Sequence, residues 1–183
     1  PHTHAFTEDA YLTPWGRTRK GQTHEPSPAN NVIAISAAWA HSLALNADGS
    51  VLGWGNNEFG QTNIPVLTQG AVAIAAGYYH NLALLSDHTV VAWGLQNTVP
   101  ASATNVVAIS AGWWHSLALR ADGSVVAWGD NSYGQCTVPP AATNVVGIAA
   151  GYSHSLVLLA DGTVLAWGSG AYGATNVPAG LGS

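Results

Sequence analysis

The dipeptide Trp-Gly returns five times along the chain, at Trp15, Trp54, Trp93, Trp128 and Trp167, with spacings of 39, 39, 35 and 39 residues. A fixed period constrains a fold more than any local signal, because every copy must be the same supersecondary unit and none can bury its apolar surface alone. Two further residues keep the frame. A histidine stands thirteen residues before each tryptophan, at His2, His41, His80, His115 and His154, and a proline eleven residues after four of them, at Pro26, Pro65, Pro139 and Pro178. In the third copy Pro100 follows Trp93 by seven, so four residues are missing from that one loop. The frames divide the chain into repeats at 1–31, 32–70, 71–105, 106–144 and 145–183, within a single domain or part of one.

The unit is clearest from Asn105 to Pro139. Three short apolar runs, Val106–Ser110, His115–Arg120 and Ser124–Trp128, are each bounded by turn residues, which is the signature of strands. Between the second and third runs, Ala121-Asp122-Gly123 supplies a tight hairpin: Asp can bond its own backbone and Gly is free to take positive φ. Asp48-Gly49 and Asp161-Gly162 repeat it. Along the third strand Val126 and Trp128 point one way, Val125 and Ala127 the other, so both faces are apolar and both must be covered. Radial stacking of such sheets is an all-β propeller of three-stranded antiparallel blades, and a linear stack is the competing geometry. The small residues Ala111, Gly112, Ala150 and Gly151 allow close approach near an axis. The first copy is worn and incomplete: Ala10 replaces the turn glycine, Pro14 precedes Trp15, and Arg17-Thr18-Arg19-Lys20-Gly21 replaces an Asn-bearing loop.

Charge narrows the function. Only 7% of residues are charged, against 48% hydrophobic, which is unusual for a cytosolic enzyme. The net charge is −5, and three of the four basic residues, Arg17, Arg19 and Lys20, lie in one segment. No basic face is left for nucleic acid. The one cysteine, Cys136, excludes an internal disulfide and reads as an incidental thiol. No apolar run approaches the roughly 20 residues that span a bilayer, so no membrane insertion is expected, and no leader opens the numbered chain, which reads as a mature or excised segment.

The string VVAIAAG..HSLAL.ADGSVVAWGDN..GQ..VP resembles the repeats of the regulator of chromosome condensation family, carried by Gly112-x-x-His115-Ser-Leu-Ala-Leu and Trp128-Gly-Asp-Asn-x-x-Gly134-Gln135. The short, three-stranded form is similar to that of a β-lactamase inhibitory member. The resemblance implies a propeller fold and a secreted or surface-displayed bacterial protein. The family usually closes a ring of seven blades by joining strands from both termini. This chain holds five copies and opens at a strand-two histidine, which leaves three expectations open: a five-bladed ring, part of a larger ring, or several chains completing one another. Open sheet edges favour homo-oligomers.

The loop between strands one and two carries aromatics in every complete copy: Trp39, Tyr78 with Tyr79, Trp113 with Trp114, and Tyr152. Blades set around an axis gather them on one face. Trp and Tyr bury large rigid area with a polar handle and dominate binding hot spots, and the resemblance implies that these positions meet a partner protein. Phe59, Tyr133 and Tyr172, in the loop after Trp-Gly, are secondary candidates that can instead lid the blade edge. A glycan stacking on the same rings, in a structural or adhesive array, is the second partner class. Trp54, Trp93, Trp128 and Trp167 alternate with valines and read as core.

The framed histidines suggest a ring of metal ligands, but equivalent residues on successive blades sit too far apart to share an ion at ligand distances of about 2 Å. The family pattern implies that they order the loop by hydrogen bonding. Asp48, Asp87, Asp122 and Asp161 are turn residues with no second carboxylate at an acid–base spacing, and Cys136 has no histidine partner. No enzyme signature and no cofactor motif is found.

Overall fold

A computed structural model of the chain describes residues 2–3, 15–16, 19–24, 31–95 and 97–178. The irregular positions Ala10, Pro14 and Arg17 of the first copy lie outside the described residues. His2–Thr3 (β1) pairs with Trp15–Gly16 (β2), and each later copy forms one three-stranded antiparallel sheet. These blades are β3 (Val32–Ala37), β4 (His41–Asn46) and β5 (Val51–Gly55); β6 (Ala71–Ala76), β7 (His80–Leu85) and β8 (Val90–Gly94); β9 (Val106–Ala111), β10 (His115–Arg120) and β11 (Val125–Gly129); and β12 (Val145–Ala150), β13 (His154–Leu159) and β14 (Val164–Gly168). The strands fall where alternation and turn residues predict them, with one 3-10 turn at Ala171–Gly173. Register is constant: in every complete blade the histidine lies opposite the glycine of Trp-Gly, as His115 does with Gly129.

Two local devices fix each blade. At the hairpin, Asp122 Oδ1 accepts the Ser124 N–H at 3.0 Å, and Gly123 takes φ 79°. The same bonds hold the Asp48, Asp87, Asp122 and Asp161 carboxyls below the usual carboxylate range, the hydroxyl of Ser50, Thr89 or Ser124 leading in the first three and the backbone N–H of Thr163 in the last. At the other end, the glycine after each tryptophan turns the chain: Gly168 has φ 98°, and a Cβ there would stand 2.7 Å from the Ser153 carbonyl oxygen. That carbonyl accepts the N–H of Ser169 at 2.8 Å, so the close approach is what closes the corner.

The two apolar faces of each sheet are covered by neighbouring sheets. Strand β4 packs on β6, β7 on β9 and β10 on β12, while the first strands β3, β6, β9 and β12 touch in succession and so lie nearest the axis. Leu43 and Leu45 of one blade meet Ala83, Leu85 and Trp93 of the next; Leu84 meets Val106 and Ala118; Leu119 meets Val157 and Trp167. Three of the frame tryptophans, Trp54, Trp93 and Trp167, are buried, and Trp128 is half-buried against the Leu84 cluster, so all four serve as core. Ala38, Ala76, Ala111 and Ala150, with Gly77, Gly112 and Gly151, line the axial end where the strand-one loops converge.

Candidate functional site

Small residues at the ends of the first strands let the blades meet through their backbones. The Tyr78 N–H donates to the Gly112 carbonyl and the Trp113 N–H to the Gly151 carbonyl, each at 3.2 Å. Adjacent loop aromatics therefore stand side by side. Trp39 stacks on Tyr78 with ring centroids 5.0 Å apart and 21° between planes; Tyr78 meets Trp113 at 4.4 Å; Trp113 meets Tyr152 edge-on. The four rings and their small-residue floor enclose an open depression of about 470 Å³ with no charged side chain in its lining. Its two ends are open to solvent, Trp39 at 59% and Tyr152 at 60% exposure.

A second, outer row flanks the first. Phe59 lies edge-on to Tyr79 at 4.8 Å, and Tyr79 meets Trp114 at 4.8 Å. Tyr78 joins the rows, 4.3 Å from Tyr79, and burial, with the Tyr79 hydroxyl beside it, pushes its phenol up to about 12. It stays a neutral donor. The remaining two candidates stand apart: Tyr133 and Tyr172 are exposed and touch no ring among the described residues. The reason is in the sequence. Phe59 covers the second aromatic of the next blade, Tyr79, but the shortened loop after Trp93 brings no aromatic over Trp114, and the residue that Tyr133 would cover is Ser153.

Beneath the aromatics runs a polar layer that sequence reasoning placed only in part. The frame histidine reaches across to the following blade: His41 Nε2 donates to Asn81 Oδ1 at 2.7 Å, and His80 and His115 Nε2 lie 2.9 and 3.0 Å from the Ser116 and Ser155 hydroxyls. Asn81 Nδ2 and Trp93 Nε1 in turn donate to the Gln61 carbonyl, each at 2.9 Å, and Ser155 Oγ and Trp167 Nε1 donate to the Gln135 carbonyl. The Ser155 proton being spent on Gln135, its oxygen accepts from His115, which fixes the Nε2–H tautomer. His80 and His115 are almost wholly buried, and burial first, then the neighbouring imidazoles, holds both at about 4. They are neutral staples between blades. Glutamines 61 and 135 are buried and act twice: the side-chain oxygen of each accepts the N–H of its own turn, from Phe59 at 2.8 Å and Tyr133 at 2.9 Å, and the backbone carbonyl takes the bonds from the next blade, a role that no side-chain type marks.

No group of three histidine, cysteine or acidic side chains among the described residues could hold a metal ion. Burial, then Asp130, pushes the Cys136 thiol up to about 11, which removes it as a nucleophile at neutral pH.

Four radially packed, three-stranded antiparallel blades with an aromatic axial end define a β-propeller of the short-bladed kind. The regulator of chromosome condensation (RCC1) repeat matches residues 32–61, 71–98, 106–135 and 145–174, and the chain belongs to that family. No curated protein matches the sequence. Among solved structures, the ectodomain of the Physcomitrella patens receptor kinase CR4 aligns with a TM-score of 0.81 at 20% identity, covering 91% of this chain and 50% of that one. Yeast RCC1 (Prp20), solved bound to Kap60, aligns at 0.74 with 26% identity over 91% of this chain and 54% of its own. The ectodomain of the Arabidopsis thaliana receptor kinase ACR4 aligns at 0.72 with 24% identity over 92% and 60%. The chain thus spans little more than half the length of the propellers it matches.

Proposed function

We propose that the chain is a non-catalytic protein-binding module whose partner docks on the aromatic axial end, and that it acts outside the cell. One observation carries the reading: the Trp39–Tyr78–Trp113–Tyr152 row is continuous, surrounds an uncharged depression and keeps large rings in water at both ends. Exposed apolar surface of this kind is costly for a soluble domain and is kept where something covers it. Rigid aromatics bury area at low entropic cost, which is why they anchor interfaces. Yeast RCC1, by its solved complex with Kap60, is a relative that binds another protein, and two matched propellers belong to receptor ectodomains, in keeping with an extracellular setting. The inner rings favour a protein over a glycan, because Tyr78 and Trp113 pack against each other and their neighbours at tilted and edge-on angles instead of forming one flat platform.

The test is retention of secreted proteins on the immobilised chain, followed by affinity measurement with each purified candidate. A Trp39→Ala/Tyr152→Ala variant changes only exposed rings and should keep the circular dichroism and melting of the parent. It is expected to lose at least about tenfold in affinity, since each hot-spot aromatic contributes about 1–2 kcal/mol or more. Equal binding by parent and variant would place the interface elsewhere.

A further inference from the structure

Strand one slips by one residue in every complete blade, and the slip turns an aliphatic side chain out of the sheet. Val32 lies opposite Asn46 but Ala34 opposite Leu45, so Ile33 is unpaired, and Val72, Val107 and Val146 are left out of register in the same way. These four are between 45% and 59% exposed, while the residue before each, Val32, Ala71, Val106 and Val145, is buried. A bulge re-aims a side chain, and one aimed at water neither pairs nor packs, so serine or lysine would serve the sheet as well. All four copies carry valine or isoleucine instead. Val72 and Val107 have complete blades on both sides, so their exposure is a property of the repeat.

Because the first strands touch in succession, the bulges form a row near the axis, at the hairpin end and so opposite the aromatic rings. Each is set beside an acid. The Ala71, Val106 and Val145 N–H groups donate to the Gly49, His88 and Gly123 carbonyls at 2.9, 3.1 and 3.1 Å, which brings Val72, Val107 and Val146 next to Asp48, Asp87 and Asp122 of the preceding hairpin. The hairpin aspartates, Asp161 included, are exposed, and Arg120, paired with Asp122 at 3.2 Å, is the one lysine or arginine at this end among the described residues. An open hollow of about 410 Å³ is lined by Val51, Ile64 and Leu67 together with Asp48, an apolar bed for a long side-chain stem with a carboxylate beside it. We propose that this end is a second interaction surface and that it takes a basic amphipathic segment of another protein, with aliphatic side chains on the bulged row and lysine or arginine heads on the hairpin carboxylates. The acids disfavour an anionic membrane and a second copy of the same face, either of which would set like charges together. The surface lies at the other end of the blades from the aromatic row and does not depend on it.

A short peptide of leucine and lysine in helical spacing is the probe, with counterparts in which glutamate replaces lysine or serine replaces leucine. Titrated into the isotope-labelled chain at low salt, it should shift the amide resonances of Val72, Val107 and the hairpins and leave those of the aromatic loops in place. Both counterparts should bind at least about tenfold more weakly. Val72→Ser/Val107→Ser changes only exposed side chains, so its circular dichroism should match the parent while its affinity for the peptide falls at least about tenfold. Trp39→Ala/Tyr152→Ala should bind the peptide as the parent does, which keeps failure here distinct from failure of the aromatic reading. Phosphatidylserine vesicles should not retain the chain. No binding by the parent, equal binding of the glutamate peptide, equal binding by the serine variant, shifts confined to the aromatic loops, or capture by the vesicles would each overturn the proposal, as would self-association that the serine variant abolishes.

Discussion

Acid should loosen the propeller through its histidine staples, at a pH where its carboxylates are still ionised. His80 and His115 are buried and titrate at about 4 in the folded chain, against 6.5 for a free imidazole. His80 faces His115 and His41; His115 faces His154 and Asp130, and the Asp130 carboxylate offsets part of the repulsion. Between the two titration points the unfolded chain binds more protons than the folded one, so stability falls as the pH drops. The stabilisation is whole above 6.5, declines below it and has gone once the pH passes 4. At about pH 5 the linkage relation gives a loss of about 2 kcal/mol for each histidine, or about 4 kcal/mol for the pair, against a total stability of about 5–15 kcal/mol. With a urea m-value of about 2 kcal/mol/M, the midpoint should fall by about 2 M between about pH 7 and pH 5. The hairpin carboxyls titrate lower still and do not contribute in this window. Urea titrations at the two pH values measure the shift. His115→Gln, whose amide can still donate to Ser155, should lose only about half as much. Equal midpoints for the parent at both pH values, or the same drop in the variant, would refute the assignment of these imidazoles as neutral inter-blade staples.

The indole hydrogen bonds can be separated from indole packing. Trp93→Phe removes a donor bonded to the Gln61 carbonyl, whereas Trp128 Nε1 is buried with no acceptor, so Trp93→Phe should be the costlier change by about 1 kcal/mol in paired urea melts. Gly168→Ala combines a positive φ with a Cβ 2.7 Å from a carbonyl and should cost at least about 2 kcal/mol, read as a lowered thermal midpoint. The half-buried Cys136 thiol, raised to about 11, should alkylate slowly at neutral pH and rapidly in denaturant; equal rates would show that the loop opens in the native state.

Most of the fold was legible because each copy repeats the same physical problem. Strands of alternating apolar residues with turn residues at fixed offsets leave one topology per copy, and apolar residues on both faces, such as Val125 and Val126, demand a neighbour on each side. The aromatic loops were legible for the same reason, as positions that recur without serving the sheet. What escaped was relational. The resemblance implied that the frame histidine orders the loop by hydrogen bonding but not with which partner: His115 bonds Ser155 of the next blade, a contact between residues 40 positions apart. The Gln61 and Gln135 carbonyls could not be singled out because every residue has one. The isolation of Tyr133 and Tyr172 depends on two absences, the short loop after Trp93 and the serine at 153, that matter only once the blades are set side by side.

These relations explain why a chain so poor in charge holds its shape and still leaves a surface for recognition. Inside each sheet hydrogen bonds and hairpins are local, and a single blade would be marginal. Between sheets, a His–Ser/Asn contact recurs at the same depth in all three interfaces, and in the first and third a glutamine carbonyl and the next indole extend it, so the apolar faces meet in one register and the blades cannot slide. Register at depth then dictates position at the rim: because Tyr78 and Trp113 donate their backbone N–H groups to the adjacent blade, their rings are set at fixed separations. The aromatic row is therefore a consequence of the interface chemistry beneath it. A substitution that breaks the network, such as Ser155→Ala, should disturb the Trp113–Tyr152 contact while touching neither ring, which would appear as a changed near-ultraviolet dichroism signal with the far-ultraviolet spectrum intact.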